Sequence, residues 1–337
     1  MTLPRSSLVS TESTRYYHCI SRCVRRAFLC GVDSVTGQSF EHRRQWLVER
    51  LTLLERLFAV DVCAYCAMSN HSHLVLRLNP DEAAEWSGDE VLERWCTLFR
   101  GPTLVQRYRE RDNLSTGELR AVSELVERYR ARLCDLSWFM RCLNEWLARK
   151  ANAEDNCTGR FWEGRFTSQA LLDEQAILSC MLYVELNPIR AAIADTPEAA
   201  DYTSAQQRIH EMKAGASANK QPAEPLSSAI PRLLRLTGGM DDDTGLPFAL
   251  DDYLTLLDWS GRAIHPEKRG SIPDDIPPIL ERLQIEPNEL VRYLARQENR
   301  FYQVIGSQSA IRRVVARLGR HFLKGISAAN RLFPEPA

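Results

Sequence analysis

Two histidines one residue apart, and a tyrosine four residues ahead of an asparagine, are the side chains most able to do chemistry in this chain. His71-Ser72-His73 lies within Cys66-Ala67-Met68-Ser69-Asn70-His71-Ser72-His73-Leu74-Val75-Leu76-Arg77-Leu78. On a strand, alternate residues share a face. The two imidazoles would then stand side by side, with Cα atoms roughly 6–7 Å apart. Two neutral ring nitrogens at that spacing can grip one metal ion. Tyr183 carries a phenol, a candidate nucleophile, and Asn187 offers an amide oxygen as a third ligand for a divalent cation. Each element has a plainer reading: a pair of ordinary strand histidines, a half-buried core tyrosine, a residue that merely ends a helix.

The elements that must position these groups are a strand and a helix. Leu74 and Leu76 fall opposite the histidines' odd-numbered set and are expected to pack on the other side of the sheet. Asp173 to Pro188 reads as a helix. Asp173 is the expected N-cap and Glu174 suits the first turn. Ile177, Leu178, Met181, Leu182 and Leu186 make one apolar face at helical spacing. Ala176, Ser179, Cys180, Tyr183 and Asn187 line a second, where Tyr183 and Asn187 are neighbours. Pro188 resists helix continuation and biases Asn187 away from the α region.

Together these motifs resemble the REP-associated tyrosine transposases, within the HUH class of single-strand transposases. His71 and His73 match the paired histidines. Tyr183-Val184-Glu185-Leu186-Asn187-Pro188, followed by Arg190-Ala191, is similar to the Tyr-x-x-x-Asn-Pro signature of the nucleophile helix. Gly159-Arg160-Phe161-Trp162-Glu163-Gly164-Arg165-Phe166 resembles the family's Gly-x-x-Trp-x-x-Arg-Phe/Tyr strand. Arg15-Tyr16-Tyr17-His18-Cys19-Ile20-Ser21-Arg22 resembles its first strand. The likeness covers residues 13–195, and its motifs are specific as an ordered set.

The resemblance implies a metal-dependent endonuclease and strand transferase acting on single-stranded, hairpin-forming palindromic DNA. A divalent metal held by His71, His73 and Asn187 would polarise a phosphate oxygen. Tyr183 would attack phosphorus, leaving a 5′-phosphotyrosine and a free 3′-OH, and the covalent link would store the bond energy for religation. A phenol with an ordinary pKa of about 10 needs activation. Two imidazoles favour Mn²⁺ or Zn²⁺, whereas phosphoryl chemistry and the amide oxygen favour Mg²⁺; Mg²⁺ or Mn²⁺ is the expected cofactor. Some relatives swap the nucleophile helix between subunits and others act as monomers, so a homodimer is one of two arrangements. The rival is a domesticated, non-catalytic DNA-binding regulator of the same fold. A third reading is a metal-dependent hydrolase that uses water, with Tyr183 structural.

Composition sets outer bounds. The chain has 337 residues, 44% hydrophobic and 26% charged, an ordinary balance for one large domain or two. No stretch nears the ~20 apolar residues of a membrane-spanning helix, and Met1–Ser13 lacks a signal-peptide layout. Ten scattered cysteines fit a reducing cytoplasm. The formal charge of −1 counts against a nucleic-acid protein. Local patches decide, however, and before residue 200 every basic residue but Lys150 is Arg, the better phosphate fork. Arg22, Arg25, Arg26, Arg160 and Arg165 alternate with Tyr17, Phe161, Trp162 and Phe166. Basic forks beside flat rings suit single-stranded DNA, with Arg22, Arg25, Arg26, Arg160, Trp162 and Arg165 as candidate contacts. A sheet with an aromatic core and charged rim is the plain alternative. Cys63-Ala64-Tyr65-Cys66 has CxxC spacing, but on a regular strand its thiols point apart, which favours buried small hydrophobes over zinc.

Along the chain, Tyr16–Cys23 reads as a strand, Phe40–Phe58 as a helix capped by Ser39, and Val60–Ala67 with Leu74–Leu78 as a hairpin around Ser69-Asn70. Asp89–Phe99 reads as a second helix, Phe161–Ala170 as a strand, then the Tyr183 helix. That order predicts an α+β fold with a ferredoxin-like split βαβ antiparallel sheet. Helices are inserted at about 104–153, over Gly117–Arg132 and Leu136–Lys150. Residues 1–200 form the expected nuclease domain, 201–229 a linker rich in Ala, Ser, Lys and Pro at 212–225, and 230–337 an α-helical accessory region. Its basic excess at Ile311–Arg331 is either a solvated helix face or an accessory DNA-binding helix.

Overall fold

In a computed structural model, the chain is described over residues 12–24, 28–33, 35–217, 230–238, 244–264, 277–295 and 303–334, with the backbone alone given for 215–217. The architecture is mixed α and β, built on a five-stranded sheet of order β2-β3-β1-β4-β5. Strand β1 is Tyr16–Arg22, β2 Val60–Ala67, β3 His71–Leu78, β4 Thr167–Leu171 and β5 Val304–Ile305. The first four pair antiparallel, while β5 joins β4 in parallel. The expected hairpin turn at Ser69-Asn70 is present, and β3 begins at His71 itself.

Helix α1 (Arg43–Leu57) follows β1. Between β3 and β4 run α2 (Pro80–Glu85), α3 (Gly88–Leu98), α4 (Thr103–Arg109), α5 (Thr116–Leu133) and α6 (Leu136–Glu154). Their starts follow local capping chemistry. Ser115 and Glu118 form a reciprocal capping box at α5, and Asp135 accepts the Trp138 N–H at α6. Helices α1 and α6 pack together on one face of the sheet. Phe58 meets Phe139 edge-on, and Asn144 of α6 donates to the Ser21 hydroxyl of β1 at 2.8 Å. The expected α1 start at Phe40 moves to Arg43, because Phe40 ends a tight loop whose N–H is bound by Gly31.

The opposite face is covered by α7 (Glu174–Glu185). Asp173 caps it, accepting the Ala176 N–H at 3.0 Å. Both expected faces of α7 are covered: Ala176 through Leu182, with Val184 and Glu185, are all buried. The helix is enclosed because elements from the end of the chain pack on its outer side. Fully burying Leu178, Met181 and Leu182 stabilises by about 1.5–3 kcal/mol per side chain. Pro188 does not end the helical path either. It sits in the first turn of a short helix, α8 (Asn187–Arg190), where its missing N–H costs nothing.

The stretch expected as a linker is helical over α9 (Ser204–Ser217), and residues 218–229 lie outside the described residues. Tertiary burial of Ala205 and Ile209 outweighs the small polar composition. This segment caps the free edge of β2: Ser204 Oγ accepts the Tyr65 N–H at 2.9 Å, Tyr202 O the Ala67 N–H, and Val62 O the Leu234 N–H. Beyond it lie α10 (Leu250–Ile264), α11 (Pro278–Arg282), α12 (Pro287–Ala295), α13 (Gln308–Arg317) and α14 (Ile326–Leu332). The described residues of 230–337 are mostly helical as expected, yet they add β5 to the sheet and share one hydrophobic cluster with it. The boundary drawn at 230 therefore runs through a common core. Among the described residues no helix is long and apolar enough to cross a membrane.

A polar knot locks α7 to these later helices. Glu185 is fully buried. It accepts from Ser204 Oγ at 2.5 Å and from the Tyr253 hydroxyl, with Arg208 Nε at 3.9 Å. Burial raises its carboxyl pKa, and Arg208 pulls it partly back.

Candidate active site

Strand register decides which side chains share the site. His18 lies opposite Val75 and Gln169, Ile20 opposite His73, and Arg22 opposite His71. Cross-strand partners share a face, so His18, Arg22, His71, His73 and Gln169 stand on the face that α7 covers. The Tyr183 ring closes the group from above. Its centroid is 5.7 Å from that of His73 and 6.1 Å from that of His18, edge-on to both. The His71 and His73 rings are 4.9 Å apart. Sequence elements far apart in the chain thus meet over three histidines rather than two.

The protons on these rings follow from their partners. Gln169 presents Oε1, which only accepts, to His18 Nδ1 at 2.9 Å. His18 Nδ1 therefore carries hydrogen. Burial lowers the His18 pKa to about 4, so the ring is neutral and its Nε2 is a bare acceptor. His73 Nδ1 lies 2.9 Å from that Nε2 and must donate to it. His73 is likewise held neutral, with a pKa well below the ordinary value through burial and then through the neighbouring His18 and His71. Its Nε2 thus carries a bare lone pair, and this buried atom has no hydrogen-bond partner. His71 Nδ1 donates to Asn70 Oδ1 at 2.6 Å, and burial, reinforced by Arg22, lowers its pKa to about 4. Its Nε2 is also unprotonated.

The two Nε2 lone pairs of His71 and His73 fit a divalent cation, with His18 and Gln169 fixing the His73 tautomer from behind, as outer partners of metal-bound imidazoles commonly do. Asn187 is fully buried, and its Oδ1 accepts from Arg190 Nη2, leaving one oxygen lone pair for a cation. Among the described residues no trio of His, Cys, Asp and Glu is arranged to hold a metal. Any cation here relies on two imidazoles, an amide oxygen and ligands brought by substrate or solvent.

Tyr183 is half-buried. Burial raises its pKa, while the Arg190 charge and the Asn187 side chain draw it back down. Arg190 lies over the ring, its guanidinium carbon 5.2 Å from the centroid. On another side Tyr293 of α12 packs against the phenol ring at 5.7 Å.

The remaining expected contacts divide. Arg22 is exposed beside His71. Arg160 and Arg165 are exposed on the segment leading into β4. That segment is shorter as a strand than the sequence suggested. Phe161–Glu163 instead runs beside the end of β1, with a single bridge between Cys23 and Trp162. Trp162 sits on the α6 side of the sheet and donates its indole N–H to Asn144 O at 2.8 Å, away from the histidines. Arg25 and Arg26 lie outside the described residues. Cys63 and Cys66 are buried free thiols, and burial pushes Cys63 up to about 12. A β-bulge between Val62 and Ala64 interrupts the strand at the first of them.

Two residues of the site lacked an assigned role from sequence alone. His18 was readable as part of a strand motif, and the signal for its role was a histidine at period two from Ile20 and Arg22 on the face that meets His73. Arg190 stood in the motif after Asn187, but its reach back to Tyr183 needs the tight α7–α8 junction. In comparisons with protein-family models, curated proteins and solved structures, the chain matches none of them.

Proposed function

We propose that this protein is a metal-dependent single-strand DNA endonuclease and strand transferase that uses Tyr183 as its nucleophile, of the kind its motifs resemble. The observation that carries the reading is the placement of the Tyr183 ring 5.7 Å from that of His73, whose buried Nε2 is bare and unpartnered. The sheet supports the same reading: strands β2-β3-β1-β4 are all antiparallel, with α1 and α6 on one face, the arrangement expected of a ferredoxin-like split βαβ core.

In this reading, His71, His73 and Asn187 would hold a divalent metal, Mg²⁺ or Mn²⁺, which when bound supplies Lewis-acid polarisation of a phosphate oxygen. Tyr183 Oη forms a bond to phosphorus as the bond from phosphorus to the 3′ oxygen breaks. The phenol releases its proton and the departing 3′ oxygen gains one. His18 and Gln169 orient His73. Arg22, Arg160 and Arg165 line the outer approach of the strand, and hairpin DNA with unpaired bases is the substrate class. The exposed Arg312 and Arg313 of α13 offer a second basic surface.

The test is incubation of the full chain with labelled single-stranded hairpins taken from inverted repeats beside its gene, with Mn²⁺. The expected product is a covalent protein–DNA adduct that survives denaturation and is lost in Tyr183→Phe. Hairpin binding without any adduct would instead support the non-catalytic regulator. Cleaved DNA without an adduct would point to attack by water.

A further inference from the structure

Arg190 is a half-buried cation with no counter-ion among the described residues. Its Nη2 donates to Asn187 Oδ1, whereas Nε and Nη1, both buried, have no acceptor. Among the described residues no carboxylate pairs with it. A neutral side chain could hold Asn187 through one hydrogen bond. A guanidinium held this way is costly, because buried charge is tolerated only when paired. Its position is also specific: over the Tyr183 ring, with its charge felt by His71 and His73. The missing partner is an anion with several acceptor oxygens, which must sit between a phenol and two bare imidazole nitrogens. A phosphodiester has that chemistry, and Arg is the side chain that meets its oxygens as a planar fork.

We propose that Arg190 is a catalytic residue that binds a non-bridging oxygen of the scissile phosphate during attack by Tyr183. The inference rests on the nuclease reading above. As the bond from Tyr183 Oη to phosphorus forms and the bond to the 3′ oxygen breaks, charge accumulates on the non-bridging oxygens. Arg190 meets that charge with N–H donors already in place. Its remaining hydrogen bond to Asn187 fixes the guanidinium relative to the amide oxygen.

The experiment compares wild type, Arg190→Ala, Arg190→Gln and Arg190→Lys on two hairpins. One has a native phosphodiester at the mapped adduct position and the other a single uncharged methylphosphonate there. Two quantities are read: hairpin affinity in EDTA, and the rate of adduct formation with Mn²⁺. On native DNA, Arg190→Ala is expected to lose roughly 10²-fold in rate, with Arg190→Lys intermediate and added methylguanidine restoring part of the loss. On methylphosphonate DNA the difference from wild type is expected to shrink to a few-fold, and the preference of wild type for the charged hairpin in EDTA to vanish in Arg190→Ala. Equal defects on both hairpins, or full recovery by Arg190→Gln, would show that Arg190 only holds Asn187 and would overturn the proposal while leaving the nuclease reading intact. If wild type formed no adduct on any hairpin, the nuclease reading and this inference would fall together. Thermal unfolding of each variant separates misfolding from loss of function. Should Arg190→Ala unfold, the Lys and Gln variants decide by the same comparison.

Discussion

Replacing His18 by Leu isolates the device that sets the His73 tautomer. His18 is 1% exposed and joins Gln169 to His73 through two hydrogen bonds of 2.9 Å each. Leucine removes both and adds no polar group. The His73 Nδ1–H then remains buried without its acceptor, at about 1–3 kcal/mol for such an unsatisfied group. His73 can also shift its proton to Nε2, which places hydrogen where a cation would sit. Loss of such an orienting partner weakens metal binding roughly 10–100-fold, or about 1.4–2.7 kcal/mol at tenfold per 1.4 kcal/mol. Titration calorimetry with Mn²⁺, on wild type and variant at neutral pH, reads that change. His18→Gln puts an amide oxygen near the lost Nε2 position and is expected to recover part of the affinity, whereas His73→Leu should abolish binding. If His18→Leu bound Mn²⁺ within about twofold of wild type while His73→Leu did not bind, the relay from Gln169 through His18 would have no part in preparing the site.

Other consequences follow from the same geometry. Glu185→Leu strands Ser204, Tyr253 and Arg208 and is expected to cost about 3–5 kcal/mol in urea unfolding, a loss under about 1 kcal/mol being the contrary result. Glu185→Gln is expected to gain on wild type as pH rises. The Glu185 carboxyl pKa is raised in the folded state, so the stabilisation it confers is complete below the unfolded value of about 4.3 and is lost as pH climbs through the folded one. A stability difference that stayed flat across that range would contradict the burial assigned to Glu185. Arg22→Glu, a change at an exposed residue opposite His71, should weaken hairpin binding and lower the magnitude of the salt slope by about 1 or more. An unchanged slope would place the DNA elsewhere. Combined Arg312→Glu and Arg313→Glu should lower that slope by about 2 if α13 touches DNA, and a fluorescence titration at several salt concentrations reads the difference.

What the sequence disclosed and what it hid separate along one physical line. Short-range regularities were readable. The alternation through His71–Leu78 predicted a strand, Asp173 predicted a cap that accepts the Ala176 N–H, and the order of strands and helices predicted an α+β sheet. Register was not readable, because it depends on pairing between distant segments. His18 meets His73 only because Ile20, not His18, lies directly opposite it, which puts the two rings on a diagonal within hydrogen-bond reach. The same limit hid β5. A two-residue strand has no pattern of its own, yet its parallel pairing with Ala170–Leu171 brings the end of the chain onto α7.

That closure changes what Tyr183 experiences. The helix is enclosed by α12 and by Tyr253 of α10, and Tyr293 lies against the phenol ring. Burial then raises the Tyr183 pKa, which moves the phenol away from the ionised form that the proposed attack on phosphorus would need. The site thus contains an opposition. The elements that hold Tyr183 over His73 would also make it a poorer nucleophile, and what offsets that is nearby positive charge together with the Asn187 side chain. Arg190 supplies part of that charge. A cation held between His71 and His73 would supply more, so on the proposed reading Tyr183 and the two imidazoles would act as one coupled unit. The sequence could name its members, but their coupling comes from the fold.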